Sequence, residues 1–354
     1  MKSIWKQKSG LMVGLIIGIL FGAGGLIFIS PDPGIGLQGT INTAGSTTVY
    51  PLSQIWAVEF NLDFPGLTVS PNSGGSGVGQ SLVSQGLIDI GASSSYPKQE
   101  YIDANPHVDI LPVSADALGV IVNEAVNGSS FRMDCDMVVA VFQRNITTWS
   151  EFSSVFEVSV QQTGPIDVYV RSDASGTTST FAKWLETANK NNNTNGADFE
   201  WNLGHEEAIS FPAGVNAVDG NPSVSSGVQS DNHGIGYVSL AFMENATPVD
   251  LYNPGNDEWI SPSIQNAIKA IPSNLTTPAQ DIMNSQIEGA YPIARLLFYL
   301  VNHDNLFTNT VTFLTWCLIQ GQHFVPSVGY VPINGTSAQT YSFTAISRLV
   351  EYIQ

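Results

Sequence analysis

The chain has 354 residues and is strongly acidic, since 30 aspartates and glutamates outnumber 12 lysines and arginines and give a formal charge of −18. Its 43% hydrophobic content, with all three aromatic types present, excludes a disordered chain. Lys2, Lys6 and Lys8 precede residue 31, so the remainder carries 12 − 3 = 9 bases against the same 30 acids. Such a surface repels polynucleotides and anionic lipids. This composition argues against nucleic-acid binding and requires any bound anion to have a local, focused site.

An apolar segment without a single charge, LMVGLIIGILFGAGGLIFIS, occupies residues 11–30. Twenty such residues can span a bilayer as a helix, whereas the apolar region of a signal peptide has about 7–15 residues. The lysines in residues 1–10 predict a cytoplasmic N-terminus and an exported globular part on the outer face of the cell membrane. The segment is predicted to be an uncleaved transmembrane anchor, with a cleaved signal peptide as the alternative. Residues 31–40 form a Pro/Gly-rich linker.

Beyond the linker, short strand-like runs alternate with helical patterns, which is typical of an α/β fold. In chain order, strands are predicted in TINTAG, GLTVSPNS, LIDIGASSS, PIDVYVRSD and AYPIARLLFYLVN. Helices are predicted in STTVYPLSQIWAVEFN, GVGQSLVSQG, TFAKWLETA and TFLTWCLIQGQHFV. The stretch VDILPVSADALGVIVN indicates a strand, a switch and a second strand. We place Cys135 and Cys317 in different halves of the molecule and therefore expect buried thiols rather than a disulfide.

Three loops share one composition: AGSTTVYPL, SGGSGVGQS and RSDASGTTSTF each follow a strand, are rich in Gly, Ser and Thr, and open a helix. The first turn of a helix leaves backbone N–H groups unpaired at the positive end of the helix dipole, and glycine lets an anion approach closely. Arg171 adds one fixed charge, whose planar guanidinium suits a tetrahedral oxyanion. The loops therefore predict an anion site, with candidate donor hydroxyls on Thr47, Ser76, Ser175 and Thr177.

Other kinds of site fit the sequence less well. The second loop approaches a nucleotide-binding P-loop, but Gln80 stands where that motif needs the lysine that reaches the terminal phosphates. The five histidines lack metal-ligand spacing, and Glu206 and Glu207 are interpreted as a solvated edge, so neither a metal nor a cofactor is predicted. The stretch GNPSVSSGV, residues 220–228, is a candidate fourth loop beside the anion.

Taken together, the motifs resemble the substrate-binding subunit of Pst-type phosphate ABC importers, within class II of the periplasmic binding proteins. The resemblance extends from about residue 40 to the C-terminus and rests on AGSTTVYPL, SGGSGVG, DIGASS, RSDASGTTSTF, GIGYVSLAF and YPIARLLFYLVN. It implies a two-lobed (Venus-flytrap) α/β fold in which each lobe is a mixed sheet flanked by helices and two strands cross between the lobes. Lobe one is then expected to hold residues 36–114 and 296–354, and lobe two residues 115–295.

The resemblance further implies an exported receptor that captures inorganic phosphate in the cleft between the lobes and delivers it to the permease and ATPase subunits of an ABC importer. The phosphate contacts that it implies come from Thr47, the Thr48 backbone, Ser76, Arg171, Ser175, Gly176 and Thr177. Gly75 and Asp173 are expected to support them, Asp173 by orienting Arg171 through an ion pair.

One position departs from the family pattern. Ser94 stands where many members have an aspartate that accepts a proton from bound phosphate, and it is the expected contact at that place. Sulfate, arsenate, molybdate or tungstate therefore remain alternative ligands, and a sensor without transport remains an alternative role. A cell-surface phosphatase is the alternative from another class, but an enzyme needs a base or a metal beside a loop serine. The sequence shows neither a histidine nor a carboxylate cluster beside the loops, so catalysis is not predicted.

Overall fold

The computed structural model describes residues 36–127, 131–187, 199–243 and 246–353. The predicted anchor at residues 11–30 lies outside these ranges, as does the basic N-terminus before it. Within the ranges described, no helix has the length and apolar character that crossing a bilayer requires.

Strands and helices alternate along the chain, as the sequence pattern predicts. The strands are β1 (Gly39–Gly45), β2 (Leu67–Ser73), β3 (Ile90–Ser93), β4 (Val108–Val122), β5 (Arg132–Met133), β6 (Asp167–Arg171), β7 (Val215–Val218), β8 (Gly234–Ser239), β9 (Thr247–Pro248), β10 (Asp250–Asn253), β11 (Glu258–Ile260) and β12 (Ala294–Asn302). The α-helices are α1 (Tyr50–Asp63), α2 (Ser76–Ser84), α3 (Gln99–Ala104), α4 (Cys135–Phe142), α5 (Trp149–Phe156), α6 (Gly176–Leu185), α7 (Gly220–Ser230), α8 (Ile264–Ile268), α9 (Thr308–Leu318) and α10 (Ser337–Leu349).

One large mixed sheet has the strand order β2–β1–β3–β12–β4–β8–β6–β7, with β9 also paired to β4, and a small sheet has the order β11–β10–β5. Strand β4 joins the two halves of the large sheet, because residues 108–117 pair antiparallel with β12 and residues 118–122 with β8. The sequence predicted two strands with a switch in this stretch. The structure has one 15-residue strand that is buried from Leu111 onward, as is typical of an apolar run covered on both faces.

Parallel pairing brings the predicted loops to defined edges. Strand β1 is parallel to β2 and β3, and β6 is parallel to β7 and β8. The carboxyl ends of parallel strands meet at one edge of a sheet, which is where ligands bind in open α/β sheets. The loops after β1, β2 and β3 therefore emerge together, and the loop after β6 emerges from the other half of the sheet.

Aromatic packing holds the helices that follow these loops. The predicted apolar face of α1 is confirmed, since Leu52, Trp56 and Phe60 are all fully buried. In α6, the ring of Phe181 stacks on Tyr237 of β8 with their centroids 4.3 Å apart, which packs the helix against the sheet. Both cysteines are buried thiols, as expected.

Candidate anion-binding site

The three glycine- and hydroxyl-rich loops lie against one another. Gly75 has a φ of +95°, and a β-carbon there would lie 2.6 Å from the carbonyl oxygen of Ala174. A β-carbon on Gly176 would lie 2.6 Å from Ser94 Oγ and 2.9 Å from Ser76 Oγ. Both positions therefore need glycine, because any larger side chain would push the loops apart.

Arg171 ends β6 and is only 4% exposed. Its Nε donates to Asp173 Oδ1 at 2.6 Å, and its Nη2 donates to Asp173 Oδ2 and, at 3.0 Å, to Thr47 Oγ1. The remaining nitrogen, Nη1, is on the opposite edge of the guanidinium and, within the described ranges, is buried without a hydrogen-bond partner. Leaving a buried charged donor unpaired is costly. Nη1 is therefore the strongest candidate in the site for direct contact with an anion.

Asp173 holds this guanidinium in place. Burial by itself would raise the pKa of Asp173, but the hydrogen bonds and positive charge of Arg171 outweigh it, so the pKa lies below its ordinary value. The backbone N–H of Gly220 adds a further hydrogen bond to Asp173 Oδ1 at 3.2 Å. The carboxylate is therefore ionised at neutral pH and neutralises the charge of Arg171.

A pair of threonine hydroxyls joins the first loop to the third. Thr48 Oγ1 and Thr177 Oγ1 share a hydrogen bond of 3.0 Å, and both residues are buried. Asn221 Nδ2 donates to Thr48 Oγ1 at 3.2 Å. Arg295 Nη2 lies 3.1 Å from Thr177 Oγ1 and 3.4 Å from Thr48 Oγ1. The two hydroxyl oxygens thus make three contacts with nitrogen atoms, and in each contact the nitrogen is the donor.

A second pair of hydroxyls comes from Ser76 in the second loop and from Ser94, the residue after β3. Ser76 Oγ accepts a hydrogen bond from Ser94 N at 3.1 Å, and the two hydroxyls lie 3.2 Å apart. Both serines are buried. Ser94 is thus placed beside Ser76 at the carboxyl end of β3.

Two further hydroxyls accept hydrogen bonds from backbone N–H groups of the first and third loops, and Ser175 is also the N-cap of α6. Ser175 Oγ accepts from the backbone N–H groups of Thr177 and Thr178 at 3.1 and 3.3 Å. Ser46 Oγ does the same for Thr48 and Val49, at 3.1 and 3.3 Å. The backbone N–H of Thr48, which the family resemblance assigns to phosphate, is thus bonded to Ser46 in this structure.

Sequence reasoning missed a second buried arginine, Arg295, which lies on β12 opposite Asp116 of β4. Its Nε and Nη2 donate to Asp116 Oδ2 at 3.2 and 2.8 Å. Its Nη1 donates to the carbonyl oxygens of Ser94 and Gly176 at 3.0 and 2.8 Å. Arg295 therefore ties both halves of the site to the central strands.

Burial dominates the electrostatics of this pair. It raises the pKa of Asp116, although the charge and hydrogen bonds of Arg295 oppose that rise. It also lowers the pKa of Arg295, and the nearby positive charge of Arg171 contributes to the lowering. A signal for the pair was present in the sequence, because a lone arginine in YPIARLLFYLVN and a lone aspartate in LPVSADALGV interrupt apolar runs. Charges buried in that way need a partner.

The glutamates interpreted as a solvated edge take part in contacts at the rim of the site. Glu206 is exposed and pairs with Lys98, but Glu207 is half-buried and its Oε1 accepts from Ser95 Oγ at 2.7 Å. The carbonyl oxygen of Glu207 also accepts from Ser175 N at 2.8 Å. The prediction was therefore wrong for Glu207, whose partner Ser95, just after β3, is 112 residues away and could not be identified from the local pattern.

A group of residues that could ligate a metal lies away from the anion site. In the part of the chain that the structure describes, Asp167, Asp231 and His233 bring their ligand atoms within 4.8 Å of one another. This half-buried group lies at the start of β6 and β8, whereas Arg171 ends β6. It is therefore at the opposite end of the strand from the anion site.

Comparison with known proteins places the chain among binding proteins. A family model described as a PBP superfamily domain matches residues 30–318. The phosphate-binding protein PstS of Xylella fastidiosa is 26% identical over 306 residues, covering 83% of this chain and 81% of the relative. PstS of Methanocaldococcus jannaschii is 26% identical over 331 residues, covering 82% of each chain.

Among solved structures, the phosphate-binding protein from Stenotrophomonas maltophilia superposes with a TM-score of 0.64 at 15% identity. The match covers 86% of this chain and 93% of that one. At this identity the likeness shows the fold, a mixed α/β periplasmic-binding-protein architecture.

Proposed function

The chain belongs to the PBP superfamily, and on that premise we propose that it is an exported receptor that captures inorganic phosphate and delivers it to the permease and ATPase subunits of an ABC importer. The observation that carries the proposal is Nη1 of Arg171, which is buried and has no partner within the described ranges. It lies in a guanidinium that already contacts the first loop through Thr47. The relatives named PstS support phosphate as the ligand.

Local donors explain how a strongly acidic protein can hold an anion. Each buried arginine is balanced by one aspartate, Asp173 for Arg171 and Asp116 for Arg295. The net charge of the site is therefore close to zero, and attraction comes from N–H and O–H groups at short range in a buried environment. Such a site captures an oxyanion without a basic surface, which the chain lacks.

We further propose that residues 36–114 with 296–354 form one lobe and residues 115–295 the other, with the anion holding the two together. Two contacts support this division, because Thr47–Arg171 and Thr48–Thr177 each join one residue from either side of it. A ligand that bonds to both sides stabilises the closed form.

Residues 11–30 are proposed to anchor the protein in the cytoplasmic membrane, with the binding site on the outer face. The support is the length and apolar character of that segment and the lysines before it. Membrane fractionation of cells that express the full chain tests this proposal. Release of the globular part into the soluble fraction, shortened at its N-terminus, would favour a cleaved signal peptide instead.

Receptors for other tetrahedral oxyanions remain the second candidate, because Ser94 replaces the acidic residue that reads the proton of phosphate. A phosphatase fits the geometry less well. Among the described residues, none of the hydroxyls of Thr48, Thr177, Ser76 and Ser94 is hydrogen-bonded to a carboxylate or an imidazole, and a nucleophile needs such a base.

Calorimetric titration of the full chain with phosphate, sulfate, arsenate, molybdate and tungstate tests the function. We expect saturable one-to-one binding of phosphate. Binding of none of the five anions would overturn the proposal, and selective binding of another oxyanion would favour the second candidate.

A further inference from the structure

Hydrogen-bond counting shows that the two hydroxyl pairs of the site are not equivalent. In the threonine pair, four lone pairs meet four hydrogen-bond contacts: one from Asn221, one from the shared O–H, and two from a single N–H of Arg295 Nη2, whose other N–H goes to Asp116 Oδ2. All four contacts find a lone pair only if Thr48 donates the shared hydrogen bond to Thr177, because otherwise Thr48 Oγ1 would have to accept three times. The hydroxyl proton of Thr177 is then left over and no lone pair remains open.

The orientation of Asn221 supports this count. Its Oδ1 accepts from the backbone N–H of Ser239 at 3.4 Å, so the amide nitrogen must face Thr48. Asn221 is fully buried, and Thr48 and Thr177 are 1% and 0% exposed. Protein groups, rather than bulk water, therefore set the direction of these hydrogen bonds.

The serine pair has spare acceptor capacity. Within the described ranges it receives one outside donor, the backbone N–H of Ser94, besides the hydrogen bond that Ser76 and Ser94 share. Two lone pairs and one O–H are therefore left over. This side of the site can either donate to a ligand or accept from it.

We propose that Arg295 and Asn221 are positioning residues. By filling the lone pairs of Thr48 and Thr177, they make this pair a surface that can only donate hydrogen bonds, which we call the threonine wall. A protonated oxyanion must then turn its P–OH group toward Ser76 and Ser94. This proposal rests on the function proposed above and adds to it the way in which the site orients its ligand. Hydrogen phosphate has a proton that the serine pair can accept, whereas sulfate has none at neutral pH. The threonine wall can therefore donate to either anion, and only the Ser76–Ser94 pair can discriminate between them.

Asn221→Asp tests the wall with almost no change of shape. The carboxylate removes the N–H that fills Thr48 and opens an acceptor on the threonine side, while Oδ1 can still accept from Ser239. Hydrogen phosphate can donate to that side and sulfate cannot. We expect both anions to bind more weakly, and the ratio of phosphate to sulfate affinity to rise roughly tenfold, the effect of about one hydrogen bond.

Thr48→Val is the second variant, for the case in which Asn221→Asp does not fold. It removes the shared hydrogen bond and leaves Thr177 with an open lone pair, so the same ratio should rise. Asn302→Asp is the matched control, since Asn302 is also buried but lies at the far end of β12. It should leave the ratio unchanged.

Competition titrations on the full chain give three readable outcomes. A ratio that rises in Asn221→Asp or Thr48→Val but not in Asn302→Asp supports the assignment. A parent that binds phosphate and variants with an unchanged ratio overturn the assignment and leave the proposed function standing. A parent that binds neither anion overturns the proposed function, and this assignment with it.

Discussion

The two buried arginines of the site differ in what their guanidinium groups contact. Both pair with an aspartate, but within the described ranges Arg171 keeps a buried Nη1 without a partner, whereas every nitrogen of Arg295 donates to protein groups. The aspartates differ as well, because Asp116 is fully buried and the side chain of Asp173 is 18% exposed. Arg171 therefore keeps a donor for the proposed ligand, whereas Arg295 is fully engaged in linking the loops to the central strands.

The largest expected effect is on stability and concerns Arg295. Arg295→Met removes the partner of a buried aspartate, and breaking such a pair costs about 3–5 kcal/mol of the free energy of unfolding. Adding Asp116→Asn should recover much of the loss, because no charge is then buried alone. Urea unfolding measures both changes. Arg348→Met, at an exposed position of α10, is the control and should change stability by less than about 0.5 kcal/mol. A single Arg295→Met variant as stable as the parent contradicts this account.

Replacing Arg171, in contrast, should mainly affect the affinity for the ligand. Arg171→Ala is expected to weaken phosphate binding by about 1.5–3 kcal/mol, which is ten- to a hundredfold, because a charged donor is lost. Arg171→Lys should lose less, since it keeps the charge and loses only the planar fork. Calorimetric titration measures both affinities. An affinity within twofold of the parent in Arg171→Ala would remove Arg171 from the site.

Ser94 is expected to determine how well the site distinguishes phosphate from sulfate. A carboxylate in Ser94→Asp can accept the proton of hydrogen phosphate but repels sulfate, so sulfate affinity should fall while phosphate affinity is spared. An unpaired buried acceptor costs about 1–3 kcal/mol, so the ratio should widen by roughly tenfold or more. Competition between the two anions measures it. If the parent protein already fails to bind sulfate, and the ratio of phosphate to sulfate affinity is unchanged in Ser94→Asp, this role of Ser94 is wrong.

The smallest effect is the acid dependence of the Arg171–Asp173 pair. Because the pKa of Asp173 is lower in the folded chain than its ordinary value of about 3.9, its contribution to stability is complete above that value and is lost as the pH falls through the folded pKa. The difference in unfolding free energy between the parent and Asp173→Asn should therefore be constant near neutral pH and shrink below about pH 4. A difference that persists unchanged into strong acid argues that the carboxylate is not held by Arg171.

Local sequence patterns were enough to predict the strand–loop–helix units. The loop of Arg171 contains its own partner two residues later, and the apolar spacing of α1 identifies its buried face. The boundary of α2 was also predicted, since the helix ends at Ser84, shortly before Gly86 with its φ of +68°. Each of these features depends on residues that are close together in the chain.

The rest of the site depends on contacts that local patterns do not encode. Arg295 and Asp116 are 179 residues apart, and Asn221 is 173 residues from Thr48. The candidate fourth loop was identified by its composition, but its contact with the site, from Asn221 of α7 to Thr48, is visible only in the structure. The stretch of β4 was predicted as two strands with a switch, whereas the structure has one strand in which Asp116 is paired with Arg295.

Both proposals require an oxyanion that binds to Nη1 of Arg171 between the threonine and serine pairs. A crystal structure of the full chain grown with tungstate tests it most directly, because the anomalous signal of the heavy atom locates the anion without reference to the protein model. We expect a single peak for tungsten, with the oxygens of the anion within hydrogen-bond distance of Arg171 Nη1, one threonine hydroxyl and one serine hydroxyl. A peak elsewhere, with Nη1 still unbonded, would contradict it.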